Sequence, residues 1–231
     1  EKEGAGLDRV GVAVKTPGGY RLLTGNETGA LLLDFIARRR IAQGRMPERP
    51  VAVKTIVTTD LAQKIAEYYG IEMINVLTGF KFIGEQIGLL EEKGEAGRYI
   101  FGFEESYGYL SGTYVRDKDA VNASMLICEM AADCKAGGMT LADALEELGR
   151  AYGYYENRLL TFTFEGEDGM EKMSSLMDSL RREHPQRLAG SPVTGWSDYM
   201  ASAGEENGRA FPLSLPRSDV LEFRAANGCK L

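Results

Sequence analysis

Residues 51–103 read VAVKTIVTTDLAQKIAEYYGIEMINVLTGFKFIGEQIGLLEEKGEAGRYIFGF, and their rhythm decides the fold class. VAVKTIV is a short β-branched run, the pattern of a strand. Thr59-Asp60 then opens a helical stretch, LAQKIAEYY, which Gly70 stops. IEMINV is a second strand, a helix follows from about Phe82 to Lys93, and RYIFGF is a third strand. Strands alternating with helices indicate an α/β fold with parallel strand pairs. The expectation is a central α/β domain whose mixed, partly parallel sheet is flanked by helices.

The third strand runs into GFEESYGYLSGTYVRDKDAV, residues 102–121, which gathers Glu104, Glu105, Ser106, Arg116, Asp117, Lys118 and Asp119. A polar loop after a buried strand is where α/β proteins place ligand chemistry. A carboxylate accepts two hydrogen bonds, so Glu with Ser suits the vicinal hydroxyls of a sugar. A merely solvated pair is the bland alternative, weakened because Glu104-Glu105 directly follows an apolar strand. Arg116 and Lys118 stand at the start of a predicted helix, the wrong end for cations by the dipole rule. That suits a phosphate, with a charge network through Asp117 and Asp119 as the structural alternative. The same field is expected to ease deprotonation of Lys118, which could then move a proton. Thr78-Gly79-Phe80-Lys81 closes the second strand on the side where a ligand is expected; Lys81 reaches a ligand there or is a surface lysine. Lys54, polar within a strand, points either to a site or to solvent on the other face.

The helix beyond the loop carries Val121, Met125, Cys128 and Ala132 at helical spacing and closes at Gly137-Gly138. Thr140 with Asp143 starts another helix, through Leu148. Upstream, Val10–Val14 and Tyr20–Leu23 read as two strands about a Pro17-Gly18-Gly19 turn. Thr24 and Glu27 then frame a capping box for ALLLDFIARRR, whose Arg38, Arg39 and Arg40 suit the negative helix end. Gly44, Pro47 and Pro50 form a linker. Past Tyr155, LLTFTF alternates as a half-exposed strand. Gly169–Arg182 is an amphipathic helix with Met170, Met173, Leu176, Met177 and Leu180 on one side, read as core. Loops rich in Gly, Ser and Pro follow; His184 is assigned to a loop and Trp196 to packing. VLEFRA is a last strand, and Asn227-Gly228 is a hairpin turn whose partner strand is missing. This region reads as an incomplete α+β C-terminal domain.

Composition narrows the classes. The 231 residues are 44% hydrophobic and 26% charged, ordinary for a globular chain. The net charge of −7 argues against nucleic acid as partner. Cys128, Cys134 and Cys229 form no CxxC pair, and no run reaches membrane-spanning length, so a cytoplasmic protein without a membrane partner is expected. No GxGxxG or GxxxxGK[ST] follows a strand, which weakens a nucleotide-binding reading. The opening EKEGAG reads as a cut within a domain.

Taken together, FEES, RDKD, TGFK and the initial LDRVG with TGNE resemble the α-D-phosphohexomutases, the phosphoglucomutase and phosphomannomutase family, with FEES and RDKD closer to phosphoglucomutases. The resemblance covers nearly the whole chain and about half of the family's enzyme. It implies the end of a second domain at residues 1–45, a sugar-binding third domain at 46–155, and a partial fourth domain at 156–231. Glu104 and Ser106 match the pair that holds sugar hydroxyls; Thr78, Gly79, Phe80 and Lys81 match the loop that senses sugar orientation. Arg116 and Lys118 fall at the substrate, with Lys118 and Arg9 in catalytic positions. Asp8 matches the third of three Mg²⁺-binding aspartates, the places of the first two being held by Gly4 and Gly6. The family's phosphoserine segment and fourth-domain phosphate loop have no counterpart in these residues. The resemblance implies interconversion of hexose 1-phosphate and hexose 6-phosphate through a phosphoserine and a bisphosphate, with glucose 1-phosphate, glucose 6-phosphate and glucose 1,6-bisphosphate as partners. It implies Mg²⁺ in the whole enzyme, and a chain that recognises sugar but binds no metal and is inactive alone. The rival is a non-catalytic sugar-phosphate-binding module.

Overall fold

The computed structural model describes residues 8–166 and 168–231. Two compact units divide the chain, Glu1–Asn157 and Arg158–Leu231. The first opens with a hairpin of β1 (Val12–Thr16) and β2 (Gly19–Leu23), antiparallel and turning at Pro17-Gly18. Helix α1 (Gly25–Ala42) follows, its start fixed by the expected capping box. Thr24 accepts from the Glu27 amide, and Glu27 accepts from the Thr24 amide. The alternating region then gives β3 (Val51–Thr55), α2 (Leu61–Tyr69), β4 (Glu72–Val76), α3 (Phe80–Glu92), a 3₁₀ turn at Ala96–Arg98, and β5 (Tyr99–Glu104). A short β6 (Gly108–Leu110) precedes α4 (Ala120–Ala136) and α5 (Leu141–Tyr152).

The sheet runs β4-β3-β5-β6, with β3 parallel to both β4 and β5, and β6 antiparallel to β5. This is the mixed, partly parallel sheet that the sequence implies. Every residue of β3 and β5 is buried, as central strands covered on both faces must be. On one face α3 packs Phe80, Ile83, Ile87 and Leu90 against Val51, Val53 and Tyr99. The other face meets α1, α2, α4 and α5 through Phe101, Phe103, Leu32, Ile65, Ile127 and Leu148. Each such apolar side chain, fully buried, contributes about 1.5–3 kcal/mol. Asp34, buried midway along α1, ties this layer together. It accepts from Arg38 Nε at 2.8 Å, Tyr69 Oη at 2.9 Å and Tyr152 Oη at 3.2 Å. Burial, then the bonds and charges around Asp34, push the Tyr152 phenol up to about 12.

Four expectations for this unit are corrected or narrowed. Val121, Met125, Cys128 and Ala132 form the exposed side of α4, whereas Ala120, Ala123, Ile127, Met130 and Cys134 form the buried one. The helix is apolar on two sides, so spacing alone could not choose between them. Lys54 does not point to solvent: it is 2% exposed and donates to Thr58 O at 3.0 Å and Asp60 Oδ1 at 3.2 Å, in the turn that follows β3. The loop after β5 contains β6, too short to carry a periodic signal. Finally, α5 continues through Gly149 to Tyr152, and the Tyr154 ring occupies the space beside that glycine. Arg38 and Arg39 pair with Asp34 and Asp133 as well as facing the helix end.

The second unit holds α6 (Gly169–Arg182) and an antiparallel sheet. Its strands are β7 (Arg187–Leu188), β8 (Ser191–Asp198), β9 (Ala203–Glu206), β10 (Arg209–Pro212) and β11 (Leu221–Ala225), in the order β10-β9-β8-β11 with β7 on β8. His184 lies in a loop, as expected, with its ring centre 4.6 Å from that of Trp196 and 5.5 Å from that of Phe223, so the packing role expected of Trp196 holds. The stretch read as Gly, Ser and Pro-rich loops is in fact this meander. Its strand glycines hid it: the Glu206 carboxylate fills the space beside Gly195 and the Phe211 ring that beside Gly204. LLTFTF, residues 159–164, forms no strand and finds no ladder within the described unit; Leu159 is 90% exposed. The α6 methionines are not core, since Gly169 alone is buried in that helix. Asn227-Gly228 does turn the chain, and Leu231 exchanges both backbone hydrogen bonds with Phe223, at 3.0 and 2.8 Å. The partner thought missing is thus the run 229–231. Among the described residues, no helix is long and apolar enough to cross a membrane.

Candidate active site

In an open parallel sheet, neighbouring strands whose connections leave toward opposite sides open a crevice at their carboxyl ends. Here β3 connects outward through α2 to β4 on one side, and β5 connects outward to β6 on the other. The crevice therefore lies between the ends of β3 and β5, where Thr55–Asp60 and Glu104–Tyr107 turn.

Glu104 ends β5 and is only 4% exposed. Asp8–Val10 lies along the outer edge of β6: Arg9 bridges to Gly108, and the Val10 amide donates to Tyr107 O at 3.3 Å. Arg9 Nε donates to Ser106 O at 2.9 Å, and its Nη2 lies 3.9 Å from Glu104 Oε1. Lys118 crosses Gly108 to the same place. Its Nζ lies 2.8 Å from Asp117 Oδ1, 3.9 Å from Asp8 Oδ2 and 5.3 Å from the centre of the Phe80 ring. Gly84 of α3 leaves room for the Arg116 carbonyl, so the 112–118 loop lies directly on that helix. Asp8, Arg9, Phe80, Glu104, Ser106 and Lys118, distant in sequence, are thereby gathered.

The remaining predicted residues stand apart from this cluster. Arg116 pairs with Glu91 near the end of α3 and donates to Thr113 O at 2.5 Å. The Lys81 ammonium sits 4.8 Å over the ring of its neighbour Phe82. Thr78 is exposed, and Gly79, at φ 118°, makes the bend from β4 into α3 that a β-carbon would strain. The charges nearest Lys118 are carboxylates, not the cationic field that the sequence suggested. Burial raises the Asp117 carboxyl, but hydrogen bonds from the Lys118 ammonium and amide outweigh it and leave the group below its usual range. Asp119 caps α4 through the Asn122 amide at 2.9 Å; a 2.5 Å bond from Tyr114 Oη, then this one, hold its carboxyl low.

Sequence reasoning passed over three positions. Glu105, read only as a charged neighbour, accepts from Thr55 and Thr58 at 3.0 and 3.2 Å. Thr55 gave no signal inside a hydrophobic run. Gly108 was visible only as one loop glycine among several. A cavity of about 290 Å³ lies beyond the start of α1, lined in part by Asn26, Thr59, Gly149 and Tyr154, and none of the predicted site residues borders it.

The donor set does not fit Mg²⁺. Asp8 is the one carboxylate that the sequence suggests for a metal, and the Lys118 ammonium stands 3.9 Å from it. Gly4 and Gly6 lie outside the described residues and offer no side-chain donor. Among the described residues no three metal-binding side chains converge, whereas Mg²⁺ takes six oxygens in near-ideal octahedral geometry.

Residues 24–152, more than half of the chain, match the family model described as phosphoglucomutase/phosphomannomutase, alpha/beta/alpha domain III. The chain belongs to the phosphoglucomutase/phosphomannomutase family. It is 38% identical over 217 residues to a phosphoglucomutase of Staphylococcus aureus strain USA300, covering 93% of this chain and 38% of that relative. A phosphoglucomutase of S. aureus strain RF122 is 39% identical over the same span. The chain therefore spans under two-fifths of the length of these curated relatives. Among solved structures, the open form of the phosphoglucomutase parafusin from Paramecium has a TM-score of 0.60 at 17% identity, covering 96% of this chain and 35% of that one. A phosphoglucomutase/phosphomannomutase family protein of Burkholderia thailandensis has a TM-score of 0.51 at 16% identity over 80% and 34%. These two share the fold.

Proposed function

We propose that the chain is the sugar-recognising part of a phosphohexomutase, most closely of phosphoglucomutase type, that interconverts hexose 1-phosphate and hexose 6-phosphate. In this reading the third domain takes in α1 and runs over the matched residues 24–152 rather than starting at 46, with the end of a second domain before it and the beginning of a fourth after about residue 156. A phosphoserine elsewhere in the protein donates its group, the bisphosphorylated sugar reorients, and the serine is rephosphorylated. The observation that carries the reading is the gathering of Arg9, Glu104, Ser106 and Lys118 at the carboxyl end of the parallel strands. Glu104 and Ser106 receive the sugar hydroxyls. Arg9 neutralises Glu104 and holds the main chain of Ser106. Lys118 faces the reacting end with an ammonium whose proton is available to the sugar oxygen. Lys81 and Arg116 are assigned to sugar orientation and phosphate, each after a side-chain swing from its present partner.

Catalysis of this kind is mostly positioning and charge stabilisation. Mg²⁺ serves the whole enzyme; because this chain's donors do not fit it, no step is assigned to it here. The chain is accordingly silent by itself, and glucose 1-phosphate, glucose 6-phosphate and glucose 1,6-bisphosphate are its ligands. The test is turnover of glucose 1-phosphate by the complete polypeptide bearing Lys118→Met. The proposal expects a loss of about 100-fold or more in kcat, the scale of acid–base catalysis. Unchanged turnover would remove Lys118 from the mechanism.

A further inference from the structure

We infer that Glu105, the middle residue of the Glu-Glu-Ser turn, is a positioning residue that fixes Glu104 and Ser106 by clasping the turn to the end of β3. The inference rests on the reading of that turn as a sugar grip. Glu105 faces away from the Arg9–Lys118 cluster. Its Oε2 accepts from Thr55 Oγ1 at 3.0 Å and Thr58 Oγ1 at 3.2 Å, and the two hydroxyls lie 2.7 Å from each other. Thr55 is 0% and Thr58 1% exposed. Two hydroxyls carry two protons, so the three contacts share them, and the carboxylate takes the charge-assisted bonds.

The clasp is anchored to something rigid. Lys54 Nζ donates to Thr58 O at 3.0 Å, and the Thr59 amide donates to Asn26 Oδ1 at 2.9 Å. Asn26 belongs to the first turn of α1, and the Glu105 carbonyl sits where a β-carbon on Gly25 would lie. Side chain and main chain of Glu105 are therefore both held, by β3 and by α1. The turn also needs holding. Tyr107 adopts φ 66°, a left-handed conformation unfavourable for a residue with a β-carbon, and relaxes unless its neighbours are fixed. Glu104 and Ser106 sit on either side of the clasped residue, so releasing it moves both.

The test compares Glu105→Ala, Glu105→Gln and Thr58→Val in the chain as it stands. Two readouts are used: amide hydrogen exchange across residues 104–108 and titration with glucose 6-phosphate. A glutamine oxygen accepts the same two hydroxyls without the charge, so Gln should fall between wild type and Ala. Ala should speed exchange in the turn and weaken binding, each about tenfold, the weight of hydrogen bonds to a charged group. Thr58→Val should move the same amides in the same direction without altering the loop itself, which guards against a folding defect in the alanine variant. An alanine variant with unchanged turn exchange overturns the inference, as does a glutamine variant as damaged as alanine. Should wild type bind no glucose 6-phosphate while turn exchange still separates Ala from Gln, the clasp stands and the sugar reading falls.

Discussion

Replacing Gly108 by alanine would put a methyl group where Lys118 crosses Glu104. Its Cβ would overlap Lys118 Cδ and stand 2.8 Å from both Lys118 Cγ and Glu104 Oε1. All three atoms belong to flexible side chains, so those chains move rather than the backbone. Gly108 also has no left-handed φ, and alanine can adopt its conformation. Driving two side chains off their rotamers costs about 0.5–1.5 kcal/mol each. Alanine in place of glycine within a strand returns roughly 0.5–1 kcal/mol. The net loss of stability is on the order of 0–2.5 kcal/mol. The site should suffer more, because a displacement of about 1 Å in a positioned group can cost about 100-fold. Urea unfolding reads the first quantity and titration with glucose 6-phosphate the second. The expected pattern is a small change in stability beside at least a tenfold loss of affinity (about 1.4 kcal/mol). Destabilisation beyond about 3 kcal/mol would mean that Gly108 is wedged against backbone. Unchanged affinity would mean that Lys118 and Glu104 do not hold the sugar.

Three further outcomes are expected. Asp34→Ala should destabilise the first unit by about 1–3 kcal/mol in urea unfolding, since it leaves the half-buried Tyr69 and Tyr152 hydroxyls without their acceptor, while the exposed Arg38 is free to turn to water. Asp34→Asn, which keeps an oxygen for the tyrosines, should cost less. Asp119→Ala should cost about 1 kcal/mol at neutral pH through loss of the α4 cap. Because the folded carboxyl titrates below its ordinary value of about 3.9, that contribution is complete above the unfolded pKa. It is lost as pH falls through the folded one, so mutant and wild type should converge in acid. Millimolar Mg²⁺ should leave the chain's melting midpoint unchanged, because one aspartate beside an ammonium is a poor hard-cation site.

Much of the first unit was legible because its signals are local. The Thr24–Glu27 and Thr140–Asp143 boxes, the Gly70 stop and the β-branched run at Val51 each act within a few residues. What was not legible depended on partners far along the chain. Val121 and Met125 are apolar at helical spacing yet exposed, since only tertiary packing selects which face of α4 is covered. Residues 159–164 alternate like a strand but find no ladder, and the strands around Gly195 and Gly204 lack side chains that would announce them. In the candidate site, residue types marked Glu104, Ser106 and Lys118. The Lys118 environment was misjudged, because Asp8, 110 positions away, arrives beside it only on folding. Glu105 was underrated for the same reason: its partners Thr55 and Thr58 belong to another strand end.

The gathering of Arg9, the Glu104–Gly108 turn and Lys118 into one sugar-phosphate site is tested most directly by ¹⁵N-labelled NMR of the chain titrated with glucose 6-phosphate. Saturable shifts are expected at the amides of Arg9, residues 104–108 and Lys118, with smaller ones at Gly79 and Phe80. Saturable shifts confined to other parts of the chain, or none up to millimolar sugar phosphate, would contradict it.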